Sequence, residues 1–527
     1  MSTRFLPTFL ALLVLSFGIS AAAAAEEKSK EKDATFELKE VSIFDNGNAG
    51  QALWRATSVQ CSTEPFAEVK AYPKLNSKRP LYGKLQLPRT AAKEEAPIYF
   101  VLDESGEQPA VAEKATAEKK EEKSAEKKDE KPASKKKAVA RRPATPKPSS
   151  YDRLYIDANR DGDLTNDPVI KPMKNPPWNM MPSNMSRFVL VAARQRQRLS
   201  PETERMAFEL ASIDIDYGPG VGVRPFKVLS WFTLSEGQKT PLMRFAAGVA
   251  RTGTIKIGEA EYEARLTQDV LAGRFDRPTT SVQLTPKSHP ATRAFLGFES
   301  ETLMTMRHRD GEFYTLVASP PGDKLTVEVY RGPLGVFKVG PGDRKVKDIG
   351  FQGTFYGRNA MLNMGPSRTN PAAKMMTECK LPVGDYPTFN LTIDYGGLQV
   401  AIGSYYSQPP SGNKRQSPPQ GIQIREDKPF VLDFPNKPEI VFQGPPADKS
   451  LKLGSDVRIA TILVDPKLGI MVRGLTDPKR TTKETVKYRV GKEEREFTYN
   501  KVFSYEPTVT ITNSSGKNVA EGVMPFG

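Results

Sequence analysis

The stretch YDRLYIDANRDGDLTND, residues 151–167, decides how the chain is read. Its first six residues are rich in aromatic and aliphatic side chains and end at an Asp-Asn-Gly cluster, the pattern of a strand running into a polar turn. The same short pattern, bounded by Gly, Pro, Asp or Asn, recurs along the chain. Examples are TFELKEVSIF (35–44), FELASIDIDYG (208–218), GTIKIGEAEYEARL (253–266), GEFYTLVAS (311–319), FNLTIDYGGLQVAIG (389–403), RIATILVD (458–465) and TVTIT (508–512). β-Branched and aromatic residues suit a pleated, half-buried surface, so the chain is expected to be all-β, built of several sandwich or barrel modules. Helical periodicity is confined to two short stretches, 199–211 and 289–298.

Working outward, the segment before Tyr151 differs in kind. Residues 112–137 read AEKATAEKKEEKSAEKKDEKPASKKK, with almost no apolar residue larger than Ala. Such a segment buries too little surface to offset its ordering entropy, so 106–150 is expected to be a disordered Lys/Glu/Ala/Pro insertion. A strand pattern precedes it (APIYFVLDES, 96–105) and another follows it, which places it in a loop within one domain. Residues 111–150 carry 13 Lys and Arg against 7 Asp and Glu, a surplus of six within a net charge of +15. A basic segment of this kind can attract polyanions. Three modules are expected: an N-terminal β domain over 36–285 that carries the loop, a middle module over 286–425, and an immunoglobulin-like sandwich over 426–527.

The chain opens with a signal-peptide pattern over 1–25: Arg4, an apolar core from Phe5 to Ile19, then small residues at Ala21–Ala25. No later stretch is apolar enough to span a bilayer, so no transmembrane segment is expected in the mature chain. The protein is expected to be exported, to the periplasm, cell surface or extracellular space. Cell-envelope or extracellular polysaccharide or protein then become the candidate partners, and nucleic acid is not expected. Only two cysteines occur, Cys61 and Cys379, which allows one disulfide and no disulfide scaffold.

Within the opening stretch, Asp157, Asn159 and Asp161 recur at every second residue and Gly162 follows. A calcium ion takes six to eight oxygens, and alternating short oxygen-bearing side chains with a glycine turn curl a chain around it. The loop resembles the calcium loops of EF-hand and dockerin proteins over these eleven or so residues. By that resemblance Asp157, Asn159 and Asp161 would give side-chain oxygens and Asp163 its carbonyl. Thr165 would act directly or through water, and Leu164 would be the apolar plug. The family's twelfth-position acid is Pro168 here, with Asp167 one residue earlier as the substitute, and a strand replaces the leading helix. Ca2+ is the expected ion, in a structural role, at the weak end of affinities. The segment ARLTQDVLAGRFDRP (264–278) echoes this loop, with Gln268, Val270 and Ala272 where Asp157, Asn159 and Asp161 stand.

Other chemistry is poorly represented. Two histidines, His289 and His308, exclude a three-His zinc site, and no GxSxG occurs. YGPGVGV (217–223) lacks the Lys-Ser/Thr and following helix of a phosphate loop and reads as a turn. Asp214 and Asp216 share one strand face and could serve a glycosidase or an ion, but an exposed strand face is the favoured explanation. Met173, Met180, Met181 and Met185 surround Trp178 in a Pro-rich loop. The stretches VKAYPKLNSKRPLYGKL (69–85), DANRDGDLTND and SSGKNVAEGVMPFG (514–527) resemble a group of uncharacterised exported bacterial multi-module β proteins, which implies no known activity. The expected function is non-enzymatic: a calcium-binding β protein with a structural or interaction role at the cell envelope or outside the cell. The alternatives are an exported carbohydrate-active or other hydrolase using carboxylates, and polyanion binding through the basic insertion.

Overall fold

The computed structural model describes residues 33–44, 56–88, 96–105, 151–176, 204–234, 240–287, 300–309, 311–342, 346, 348–366, 374–404, 421–433, 439–444, 460–465, 469–490 and 493–524. These residues form strands and turns with no helix among them, as the β-branched, turn-punctuated sequence requires. The chain is an all-β protein of several sheets packed as sandwich modules around two large cores. Among the described residues no helix is long and apolar enough to cross a membrane. Residues 1–25 and the insertion 106–150 lie outside the described residues, as do 289–298, His289 and Met180, Met181 and Met185.

Strands Leu81–Leu85, Ile98–Glu104 and Tyr151–Ile156 form a three-stranded antiparallel sheet. Ile98–Glu104 and Tyr151–Ile156 are direct neighbours, so the insertion is the connection of a hairpin within one domain. Alternation along these strands sends Leu85, Phe100, Leu102, Leu154 and Ile156 into the first large core. The opposite face carries Tyr82, Tyr99, Val101 and Tyr155. That face is covered by the 66–75 segment and by Leu164 from the loop. Asp103, fully buried at the end of this sheet, accepts the amides of Asn76 and Ser77 and pins the 66–79 segment in place.

Sheet pairing crosses the limits expected from the sequence. Ala34–Glu37 pairs with Lys324–Val329, and Thr280–Pro286 pairs with Ser300–Thr302, so the first core runs from Leu38 to Val327. The limit expected at 285/286 therefore falls inside a sheet. The limit at 425/426 does too: Phe430–Asp433 lies parallel to Leu334–Gly340, and Gln399–Ser404 pairs with Ile470–Val490. Strands from 439 to 504 thus complete the eight-stranded sheet of the middle segment. Among the described residues, strands Thr508–Thr512 and Asn518–Val523 pair only with each other.

Local propensity was overridden at one point. Residues 204–207, expected within a helix, form a strand beside Val223–Leu234, with Met206 opposite Phe232. Burial of Phe232 at the centre of the first core outweighs the modest helix preference of Glu, Arg and Met. Cys61 sits in the first core and Cys379 in the second, and both are free thiols. Burial pushes each thiol up to about 12, far from reactive thiolate.

Candidate metal centre

The loop begins where strand Tyr151–Ile156 leaves the sheet. The Asp157 amide still donates to Tyr99 O at 2.9 Å, so the side chain starts from a rigid position. Gly162 has φ +80°, a left-handed conformation that glycine adopts without steric cost. Its carbonyl accepts from Lys70 N at 2.8 Å, and Leu164 N donates to Ala71 O at 3.0 Å. These bonds dock the loop on the 66–75 segment, and Leu164 is driven to full burial against the outer face of the sheet. On the other side, Ala158 O accepts from Asp214 N at 2.8 Å, which ties the loop to strand Ala211–Asp216.

The six residues expected as ligands divide into two sets. Asp157 is 1% exposed, and only one of its oxygens is engaged: Gly162 N donates to Oδ2 at 3.1 Å. Its Oδ1 is buried and accepts no hydrogen bond. Asp167 repeats the arrangement, with Oδ1 accepting from Ala158 N at 3.1 Å and Oδ2 buried without a hydrogen bond. A buried carboxylate oxygen with no donor is costly and calls for a cation or a proton. Asn159, Asp161, Asp163 and Thr165 are turned onto the loop itself. Asp161 N donates to Asn159 Oδ1, Asp163 N to Asp161 Oδ1, and Thr165 N and Oγ1 to Asp163 Oδ1. Asp161 Oδ2 accepts from the amide groups of Asn159 and Asn166 at 2.9 and 2.8 Å. Consequently, among the described residues, no three Asp, Glu, His or Cys side chains come together as a group that could hold a metal. An ion at this site would take Asp157 and Asp167 as they stand and would have to draw Asp161 away from its two amide donors.

Electrostatics separate the same two sets. Burial, with the charges of Asp157, Asp161 and Asp163 behind it, pushes Asp167 up to about 6 from a usual 3.8. Burial also raises Asp157. Asp161 is exposed and is lowered, chiefly by the Asp163 amide and then by Asn166. For a carboxyl raised in the folded state, the stabilisation is complete below its unfolded value near 4 and is lost as pH rises through about 6. Raising pH from 4 to 7 should therefore weaken the ion-free protein through this group, and Asp167→Asn should remove that part of the slope. Any calcium bound here would have to displace the same proton, so its Kd would weaken as pH falls below about 6. Calorimetric titration at pH 5 and pH 7, on the wild type and on Asp167→Asn, checks both.

The other candidates stay apart from this loop's interior. Asp214 and Asp216 alternate with buried Ile213 and Ile215 and lie on the outer face of their strand. His308 packs its ring on Phe313 at 4.8 Å, with Nδ1 3.3 Å from Asn363 O. YGPGVGV is the hairpin turn between Ala211–Asp216 and Val223–Leu234. Met173 packs in the small core around Trp231. The residues that dock the loop, Lys70, Ala71 and Ala158, act through backbone atoms, for which side-chain identity gives no signal. Neither family models, nor curated proteins, nor solved structures give a match to this chain.

Proposed function

We propose that this is an exported β protein that works by binding rather than catalysis, at the cell envelope or outside the cell, with one structural calcium ion in the 157–167 loop. The observation that carries the reading is Asp157: a carboxylate 1% exposed, held at both ends of its backbone and side chain, with one oxygen engaged by Gly162 N and the other left without a donor. Hard oxygen donors on a tight loop suit Ca2+ better than a soft metal. The site would supply no chemistry. It fastens the 66–75 segment and strand Ala211–Asp216 onto the three-stranded sheet. Lacking a bidentate acid at Pro168, the loop would bind at roughly 10⁻⁴–10⁻³ M, which serves only where calcium is abundant, outside the cytosol. The leader-like residues 1–25 agree with that compartment.

Calcium at ten times its Kd should add about 1.4 kcal/mol, or about 3–5 °C in the melting temperature of a domain of this size. Thermal unfolding in calcium against chelator measures this directly. An unchanged melting temperature and no heat on titration would remove the calcium reading.

A further inference from the structure

The loop that leaves strand Ala260–Gln268 repeats the geometry of the loop that leaves Tyr151–Ile156. Asp157 Oδ2 accepts from the amide of Gly162, five residues on. Gln268 Oε1 accepts from the amide of Gly273, also five residues on, at 3.1 Å, and from Ala272 N at 2.9 Å. Gly273 has φ +69° beside +80° at Gly162. Two residues further along, Phe275 and Leu164 are each fully buried plugs. Both loops also hold the same strand: Ala158 O accepts from Asp214 N, while Tyr217 Oη donates to Gly273 O at 3.1 Å and Arg274 donates to Asp216 O at 2.9 Å.

Besides lacking the side-chain oxygens of Asn159 and Asp161, the second loop differs in the group at its first position. A carboxylate has acceptors only, whereas an amide has an acceptor end and a donor end. Gln268 uses both: its Nε2 donates to Arg274 O at 3.1 Å, the carbonyl six residues on. The equivalent step in the first loop leads from Asp157 to the carbonyl of Asp163. There the side chain offers a second oxygen, Oδ1, that no donor meets. Two oxygens can share that contact only with a cation or a proton between them.

We propose that the 268–275 loop is an ion-free copy of the calcium loop, in which the Gln268 amide makes the contact that calcium makes between Asp157 and the Asp163 carbonyl. This rests on the calcium reading above and sharpens it: it sets where the ion sits, limits the pair of loops to one ion, and makes only one of the two clasps on strand Ala211–Asp216 sensitive to calcium.

Two variants test it by thermal unfolding in chelator and in calcium. Asp157→Gln transplants the amide. Its melting temperature in chelator should match that of calcium-loaded wild type, and calcium should add nothing; a variant less stable than wild type in chelator overturns the copy. Gln268→Glu, made in an Asp157→Asn background so that the first loop no longer responds, sets an oxygen against Arg274 O. It should melt about 4 °C or more lower in chelator, and calcium should restore at least half of that loss. A loss that calcium leaves in place overturns the copy while leaving the calcium response of the wild type intact. A wild type without any calcium response removes the reading itself, and the inference with it.

Discussion

Asp157→Asn is expected to abolish the calcium response and to raise the stability of the ion-free protein. The side chain is 1% exposed and its Oδ2 accepts from Gly162 N, a bond that an Asn oxygen can keep. What the substitution removes is the buried charge and the unmatched Oδ1. Relieving an unsatisfied buried oxygen of this kind is worth about 1 kcal/mol or more in chelator. Loss of a direct ligand costs more than the 10–100-fold typical of outer partners, so the calcium affinity should fall by at least about 100-fold. The two effects have opposite signs, and that is what makes the variant informative. A loop that binds nothing predicts the gain of stability alone. Paired melting curves in chelator and in calcium separate the cases, and a variant that keeps the wild-type calcium shift would show that Asp157 is not a ligand.

The largest loss of stability is expected at Arg309. Its guanidinium lies 2.8 Å from Glu301 Oε1, and the Tyr314 hydroxyl donates to both Glu301 oxygens at 3.2 and 3.0 Å. Arg309 also lies over the Tyr262 ring at 5.1 Å. Both charged side chains are largely buried, at 15% and 11% exposure. Burial opposes the charge on Arg309, but Glu301, Tyr314 and Tyr262 together outweigh it and the net shift is upward. The network joins strands Ser300–Thr302 and Ala260–Gln268 of one sheet to Arg307–Arg309 and Glu312–Ala318 of another. Arg309→Met leaves Glu301 buried with only the Tyr314 hydroxyl and should cost about 3–5 kcal/mol, whereas Glu301→Leu with Arg309→Met should cost far less, because a buried pair offsets little more than its own desolvation. The first transition in urea unfolding reports both. Equal losses in the single and double variants would show that Arg309 acts through packing on Tyr262 and not through its charge.

Much of the site was legible in the sequence because its chemistry is local. Asp157, Gly162 and Leu164 sit within eight residues, and their roles as buried carboxylate, left-handed turn and apolar plug follow from side-chain type and spacing. The echo at Gln268, Gly273 and Phe275 was visible as spacing too, but its meaning was not. An amide that bridges Gly273 N to Arg274 O is a matter of geometry, which spacing does not carry. Lys70 and Ala71 were missed as a wall of the site because they contribute backbone atoms.

The sequence by itself determined the fold class and the turn that follows Asp157, since burial alternation and turn residues are properties of neighbours along the chain. Tertiary structure alone decided which strands share a sheet. Ala34–Glu37 lies against Lys324–Val329, and residues 204–207 are a strand because Met206 meets Phe232. Any β edge can pair with any other, so the choice between edges is made by the side chains each pairing buries, and those come from hundreds of residues away.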